Sequence, residues 1–247
     1  MHVEVEDPPE GSIADRADDG LTIIFSHGYA LEQDSWHYQR RDLRALGRLV
    51  FWDQRSHGRS GRGPAENATI DQLGHDLESV IAATAPTGPL VLVGHSMGGL
   101  VCASLAVERP ELVHALVLIA PAGAPELRSL QAYARGLVRT FLSARPGLMR
   151  TIAEDAIRTG PEALLHGALF ATGSSFAGNV SAPTLLIWGA RDRLIPVELA
   201  AEWQRAIPQA RLEVIDDAAH VPMVETPSVF AERLLHFLDD LDDGAGM

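Results

Sequence analysis

The chain has 247 residues, 46% of them hydrophobic, one cysteine, and a net charge of −13 in which all 20 basic residues are arginine. That length is enough for one large core, and the acidic balance argues against partners that need clustered positive charge, nucleic acid and anionic membranes among them. A single cysteine makes no intrachain disulfide and no cysteine metal cluster, and no apolar run reaches the ~18 residues of a membrane span.

The amino-terminal MHVEVEDPPE is acidic and lacks the basic-then-apolar order of a secretory signal, so a cytoplasmic location is expected. Six β-rich apolar runs follow: LTIIFSH (21–27), RLVFWD (48–53), PLVLVG (89–94), HALVLIA (114–120), APTLLIW (182–188) and ARLEVID (210–216). Each is nearly continuous in apolar residues, the pattern of parallel strands buried on both faces. Helical periodicity fills the gaps at 34–46, 69–85, 97–108, 196–206 and 227–239, with Thr69 placed as an N-cap. The alternation predicts an α/β fold, a mostly parallel sheet flanked by helices. Cys102, inside LVCASLAV, reads as a small buried hydrophobe.

Residues 122–181 break the alternation, far exceeding an ordinary loop. Leu127, Leu130, Ala134, Leu137, Val138 and Phe141 recur there at helical spacing, with Arg128, Arg135 and Arg139 off that stripe. The segment is expected to be a helical cap inserted into a core made of residues 1–121 and 182–247, with Leu137, Val138 and Phe141 lining a substrate entrance. Its six arginines against four acids are expected to face solvent on the cap's outer side.

The sharpest motif is Gly94-His95-Ser96-Met97-Gly98, G-x-S-x-G between a strand and a helix. A sharp turn there lifts a serine hydroxyl to the carboxyl end of the sheet, beside helix N-terminal amides. A hydroxyl needs a base to become a nucleophile. Of ten histidines, His220 in AAHVPMVETP follows the last strand, from where a side chain can reach back over the sheet's carboxyl end. His57 is read as structural, and His95, adjacent to the serine, as pointing away from it. Asp192, after TLLIWGAR, supplies the orienting carboxylate, so that Ser96, Asp192 and His220 stand in Ser…Asp…His order. Asp216 and Asp217 are closer to His220 in sequence but belong to a strand end. The backbone N–H groups of Met97 and of Tyr29, the latter in the loop Ser26-His27-Gly28-Tyr29-Ala30, are the candidate oxyanion donors.

Taken in order, HGYALEQDSW, DQRSHGRS, GHSMGG, WGARD and AHVPMVETP resemble the α/β-hydrolase superfamily over nearly the whole chain, most closely its compact, cap-bearing bacterial esterase-like members. The resemblance implies the α/β-hydrolase fold, Ser96 as nucleophile, Asp192 as acid, His220 as base, and oxyanion amides at Tyr29 and Met97. Two departures stand out. Few residues precede LTIIFSH, fewer than many members use for an initial hairpin, which leaves open whether the first strands of the sheet are complete, and Ala219 stands where many relatives carry glycine. Serine at 96 separates the chain from members that form an alkyl ester on aspartate, such as haloalkane dehalogenases and epoxide hydrolases.

The expected activity is hydrolysis of a small carboxylic ester through an acyl-enzyme on Ser96, with no metal and no organic cofactor. The same triad also suits a lactone, a thioester, a C–C bond, acyl transfer or cofactor-free perhydrolysis. A non-catalytic ligand-binding protein on the same fold is the alternative of another class. The expected partner is a small-molecule substrate, with neither nucleic acid nor membrane. Nothing in the sequence fixes the oligomeric state.

Overall fold

A computed structural model describes residues 1–11, 20–61, 69–123 and 178–244, together with 135–136, 138–140, 150, 153–154, 156–157, 160 and 176. Among these residues one sheet is built from β1 (His2–Glu6), β2 (Thr22–Ser26), β3 (Arg48–Asp53), β4 (Leu90–His95), β5 (Ala115–Ile119), β6 (Thr184–Gly189) and β7 (Arg211–Ile215). Their spatial order is β1-β3-β2-β4-β5-β6-β7; β1 runs antiparallel to β3 and every other neighbouring pair is parallel. The helices are α1 (His37–Leu43), α2 (Ile70–Thr84), α3 (Met97–Glu108), α4 (Ala200–Ala206), α5 (Pro222–Glu225) and α6 (Pro227–Gly244).

The six expected strands are present. Ahead of them the described residues hold one further strand, β1, where an initial hairpin would supply two. HVEVE alternates apolar and acidic residues, the period of a strand with one covered face. Val3 packs on the core while Val5 is exposed. Glu4 and Glu6 both pair with Arg40 of α1, clamping the edge strand to the body.

Continuous apolar strands are explained by the two faces they feed. Ile24, Val50, Leu92 and Leu116 pack with Leu77 of α2, Val101 of α3 and Trp203 of α4. Their neighbours Ile23, Phe25, Leu49, Phe51, Val91 and Val93 pack on the opposite face with Leu43 of α1 and Phe230 and Leu234 of α6. Thr69 caps α2 as expected, its hydroxyl accepting the Gln72 N–H at 3.2 Å. Cys102 is fully buried, and burial pushes its thiol up to about 12. No described helix is long and apolar enough to cross a membrane.

The chain leaves β2 for β3 on one side and returns to β4 on the other. Ser26 and Gly94 lie in register, so the carboxyl ends of β2 and β4 stand level where the strand order reverses. In an open parallel sheet that crevice is where ligands bind.

Phe51 stacks on Phe25 with ring centroids 4.8 Å apart and carries the Arg40 guanidinium 3.9 Å from its own centroid. Phe51→Ala is therefore expected to lower unfolding free energy by about 3–5 kcal/mol. A urea titration checks it, and a loss under about 1 kcal/mol would show that the two faces repack around the gap.

Candidate active site

Ser96 joins β4 to α3 at φ 52° and ψ −113°, a left-handed φ that a non-glycine residue adopts only when its surroundings impose it. Its N–H donates to Ile119 C=O at 2.8 Å, and its C=O accepts from Leu100 N–H (3.2 Å) and Ala122 N–H (3.0 Å). A Cβ on Gly94 would lie 2.5 Å from Gly98 C=O, and one on Gly98 would lie 2.4 Å from Ser26 C=O. The two motif glycines are thus required by backbone approach. Met97 opens α3, so its N–H is one of the helix's first amides.

The loop after β2 lies against the serine: a Cβ on Gly28 would be 3.3 Å from Ser96 Cβ. That loop is braced from β3. Gln54 N–H donates to His27 Nε2 at 2.9 Å, Gln54 Nε2 donates to His27 C=O at 2.5 Å, and His27 Nδ1–H donates to Gly28 C=O at 2.8 Å. The neutral ring alone satisfies both nitrogens, and burial lowers the His27 pKa to about 4. Asp53 is fully buried and accepts Gln33 N–H (2.8 Å) and Arg59 N–H (2.9 Å), binding HGYALEQD to DQRSHGRS. Tyr29, the other candidate oxyanion donor, sits between these anchors with its ring edge-on to His57 at 5.8 Å.

Asp192 and His220 come together although 28 residues apart. His220 Nδ1–H donates to Asp192 Oδ2 at 2.7 Å. The second carboxylate oxygen accepts Leu194 N–H (2.8 Å) and Ile195 N–H (2.9 Å), so both oxygens are fixed. Arg191 N–H donates to Ala218 C=O, and a Cβ on Gly189 would lie 2.0 Å from Ala219 C=O, so the β6 and β7 loops touch backbone to backbone. Ala219 fits there without a positive φ. Asp216 and Asp217 are exposed, and Asp217 pairs with Arg191.

His95 connects the two halves of the site. Its Nε2–H donates to His220 C=O at 2.8 Å, with the two rings 4.8 Å apart, and it is covalently next to Ser96. Burial, then the neighbouring His220, holds its pKa well below the usual imidazole value. Ser96, Asp192 and His220 are all at least nine-tenths buried. Of the expected entrance residues, Val138 is 59% exposed, whereas Leu137 and Phe141 lie outside the described residues. Arg135, Arg139 and Arg150 are exposed, as expected of the insertion's arginines. Sequence reading missed Glu225, whose Oε2 accepts Ala219 N–H at 2.7 Å and Val221 N–H at 3.3 Å. The available signal was a glutamate four residues into a short helix, able to fold back onto its start as in a capping box. Among the described residues no three His, Cys, Asp or Glu side chains converge as a metal site requires.

Residues 23–233 match the model of the alpha/beta hydrolase family, and the chain belongs to that family. A putative carbamate hydrolase, RutD, of Azorhizobium caulinodans is 28% identical, covering 90% of this chain and 93% of that protein. The pimeloyl-[acyl-carrier protein] methyl ester esterase of Nitrosospira multiformis is 25% identical over 89% of this chain and 95% of its own length. The chain spans only 61% of the dihydrolipoyllysine-residue acetyltransferase component of the acetoin cleaving system of Cupriavidus necator, to which it is 29% identical over 85% of itself. The fold is shared with the enol-lactonase of Burkholderia xenovorans LB400 (TM-score 0.78, 21% identity, 96% of each chain). It is shared too with a thermophilic esterase of Thermogutta terrifontis (TM-score 0.76, 24% identity, 97% and 93%).

Burial, followed by the charge of His27, lowers the His57 pKa to about 3. With His27 at about 4, two imidazoles stay neutral in the fold yet take protons once unfolded, from the ordinary 6.5 downward. The unfolded state then binds more protons, so stability is complete above pH 6.5 and falls as the pH drops toward 4, by up to about 1.4 kcal/mol per unit per group. Urea midpoints measured from pH 7.5 to 4.5 should fall accordingly, and less steeply in His57→Gln. Parallel slopes in the two proteins would remove His57 from the account.

Proposed function

We propose that the protein is a serine hydrolase that cleaves a small carboxylic ester through an acyl-enzyme on Ser96, without metal or organic cofactor. The observation that carries this reading is a serine held at positive φ on a helix start, whose chain neighbour His95 bonds to the backbone of His220, itself buried against Asp192. Ester-cleaving, carbamate-cleaving and lactone-cleaving names among the relatives and fold neighbours agree with it.

In this reading Ser96 Oγ attacks the carbonyl carbon while its proton passes to His220 Nε2. Asp192, on Nδ1–H, keeps the correct tautomer and stabilises the imidazolium. The oxyanion accepts hydrogen bonds from Met97 N–H and Tyr29 N–H, each worth about 2.7–4 kcal/mol of barrier. Collapse breaks the C–O bond and the leaving alkoxide takes the proton from His220. Water then attacks the acyl-enzyme with His220 as base, releasing the acid and restoring the serine.

The decisive experiment combines fluorophosphonate labelling with a panel of p-nitrophenyl esters, lactones and carbamates. Ser96→Ala should abolish labelling and lower turnover by several orders of magnitude, and Asp192→Asn should lower kcat by up to about 10⁴. Asp216→Asn and Asp217→Asn should stay near parental. Parental turnover in a folded Ser96→Ala protein refutes the reading, and sustained labelling without turnover of any substrate favours a binding protein.

Residues 122–181 complete the proposal as a helical cap that selects substrate. Gly136 supports this placement: a Cβ there would lie 2.8 Å from Arg193 C=O, beside the loop that carries Asp192. Leu137→Ala and Phe141→Ala should redistribute kcat/KM among acyl-chain lengths by about 10–200-fold. A parallel loss on every ester would make the segment core packing instead.

A further inference from the structure

Hydrogen bonds converge on the backbone that carries the proposed base, none of them made by its imidazole. Ala219 N–H and Val221 N–H, on either side of His220, both donate to Glu225 Oε2, at 2.7 and 3.3 Å. His220 C=O accepts from His95 Nε2–H at 2.8 Å. Residues 219–221 lie between β7 and α5, in neither a strand nor a helix, so no ladder fixes them. α5 is a single four-residue turn whose N-cap, Val221, offers no side-chain cap. Glu225 closes the loop onto itself from the last residue of that turn. The next helix, α6, starts two residues later and is anchored in the core by Phe230 and Leu234. The carboxylate therefore ties the backbone around His220 to the rigid body of the protein, while Asp192 fixes the ring.

Resting on the hydrolase reading above, we propose that Glu225 is a positioning residue for the general base: its double acceptor geometry sets where His220 Nε2 stands relative to Ser96. Displacement of a catalytic group by about 1 Å lowers rates by about 10²-fold. The role depends on the reach of a four-atom acid side chain and on an acceptor oxygen, and a net charge on that oxygen is secondary. Glutamine preserves reach and acceptor; aspartate preserves charge and loses the reach.

The test compares Glu225→Ala, Glu225→Asp and Glu225→Gln in the full chain by kcat, KM, fluorophosphonate labelling rate and melting temperature. Expected are a fall in kcat of about 10–100-fold in Glu225→Ala and Glu225→Asp, an equal slowing of Ser96 labelling, and KM within about threefold of parental. Glu225→Gln should recover kcat to within about threefold. A Glu225→Asp protein with parental kcat, or a Glu225→Gln protein as slow as Glu225→Ala, overturns the proposal. So does a lowered melting temperature with kcat unchanged well below the transition, which would make Glu225 structural only. Should Glu225→Ala fail to fold, the aspartate and glutamine pair decides. Ser96→Ala separates the two levels: if it still labels and turns over, the hydrolase reading falls; if it is dead while all Glu225 variants are fast, this inference alone falls.

Discussion

A serine at φ 52° between a strand and a helix is a local conflict, because the left-handed region is costly for a residue with a side chain. Everything around Ser96 holds it there. Its N–H is drawn to β5 by Ile119, and its C=O is shared between α3 and Ala122. The turn is possible only if β4 and α3 close to backbone contact, which Gly94 and Gly98 allow. The same Gly98 brings α3 against the carbonyls of Ser26 and His27. One strained residue therefore fixes the strand, the helix and the loop after β2 relative to one another, and that loop carries Tyr29.

From this fixed point the site is closed by backbone contacts between loops, with side chains as wedges. His27, Gln54 and Asp53 hold the β2 and β3 loops together through hydrogen bonds of 2.5–2.9 Å. Gly189 and Arg191 bring the β6 loop onto the β7 loop. His95 then bonds across to His220 C=O, joining the two pairs of loops. Polar groups buried this deeply are destabilising unless they are paired, so each pairing also specifies the arrangement.

The strands were legible because both faces of a parallel sheet are covered: Ile23 and Ile24 point to opposite clusters, and an unbroken apolar run records that directly. The strand-to-helix turn at Ser96 and the pairing of Asp192 with His220 were legible because G-x-S-x-G is local and the other two residues follow strand ends. β1 was not, since HVEVE is short, half exposed and held by ion pairs to Arg40, 34 residues from Glu6. The link from His95 to His220 C=O spans 125 residues and uses a backbone acceptor, which no residue pattern encodes. Glu225 was nearer to view, but a carboxylate serving two amides looks in sequence like any solvated glutamate.

Among the described residues four histidines are buried at or beside the site, and what separates them is the chemistry of the partner. His27, His57 and His95 each direct a ring N–H to a backbone carbonyl, those of Gly28, Arg55 and His220. A carbonyl dipole holds a neutral ring in place but does little to stabilise a full positive charge, and burial opposes that charge strongly. His220 alone among the four donates to a carboxylate, at 2.7 Å. In the proposed reaction the imidazolium formed when the serine proton is taken is met by that fixed negative charge, a charge-assisted hydrogen bond at the moment it is needed. The other three rings are neutral packing elements whose tautomers are set by their partners, which keeps them from competing for the proton and leaves them free to act as struts. The division of labour proposed for these chemically identical side chains therefore follows the acceptor each one faces: peptide oxygen for the struts, carboxylate oxygen for the proposed base.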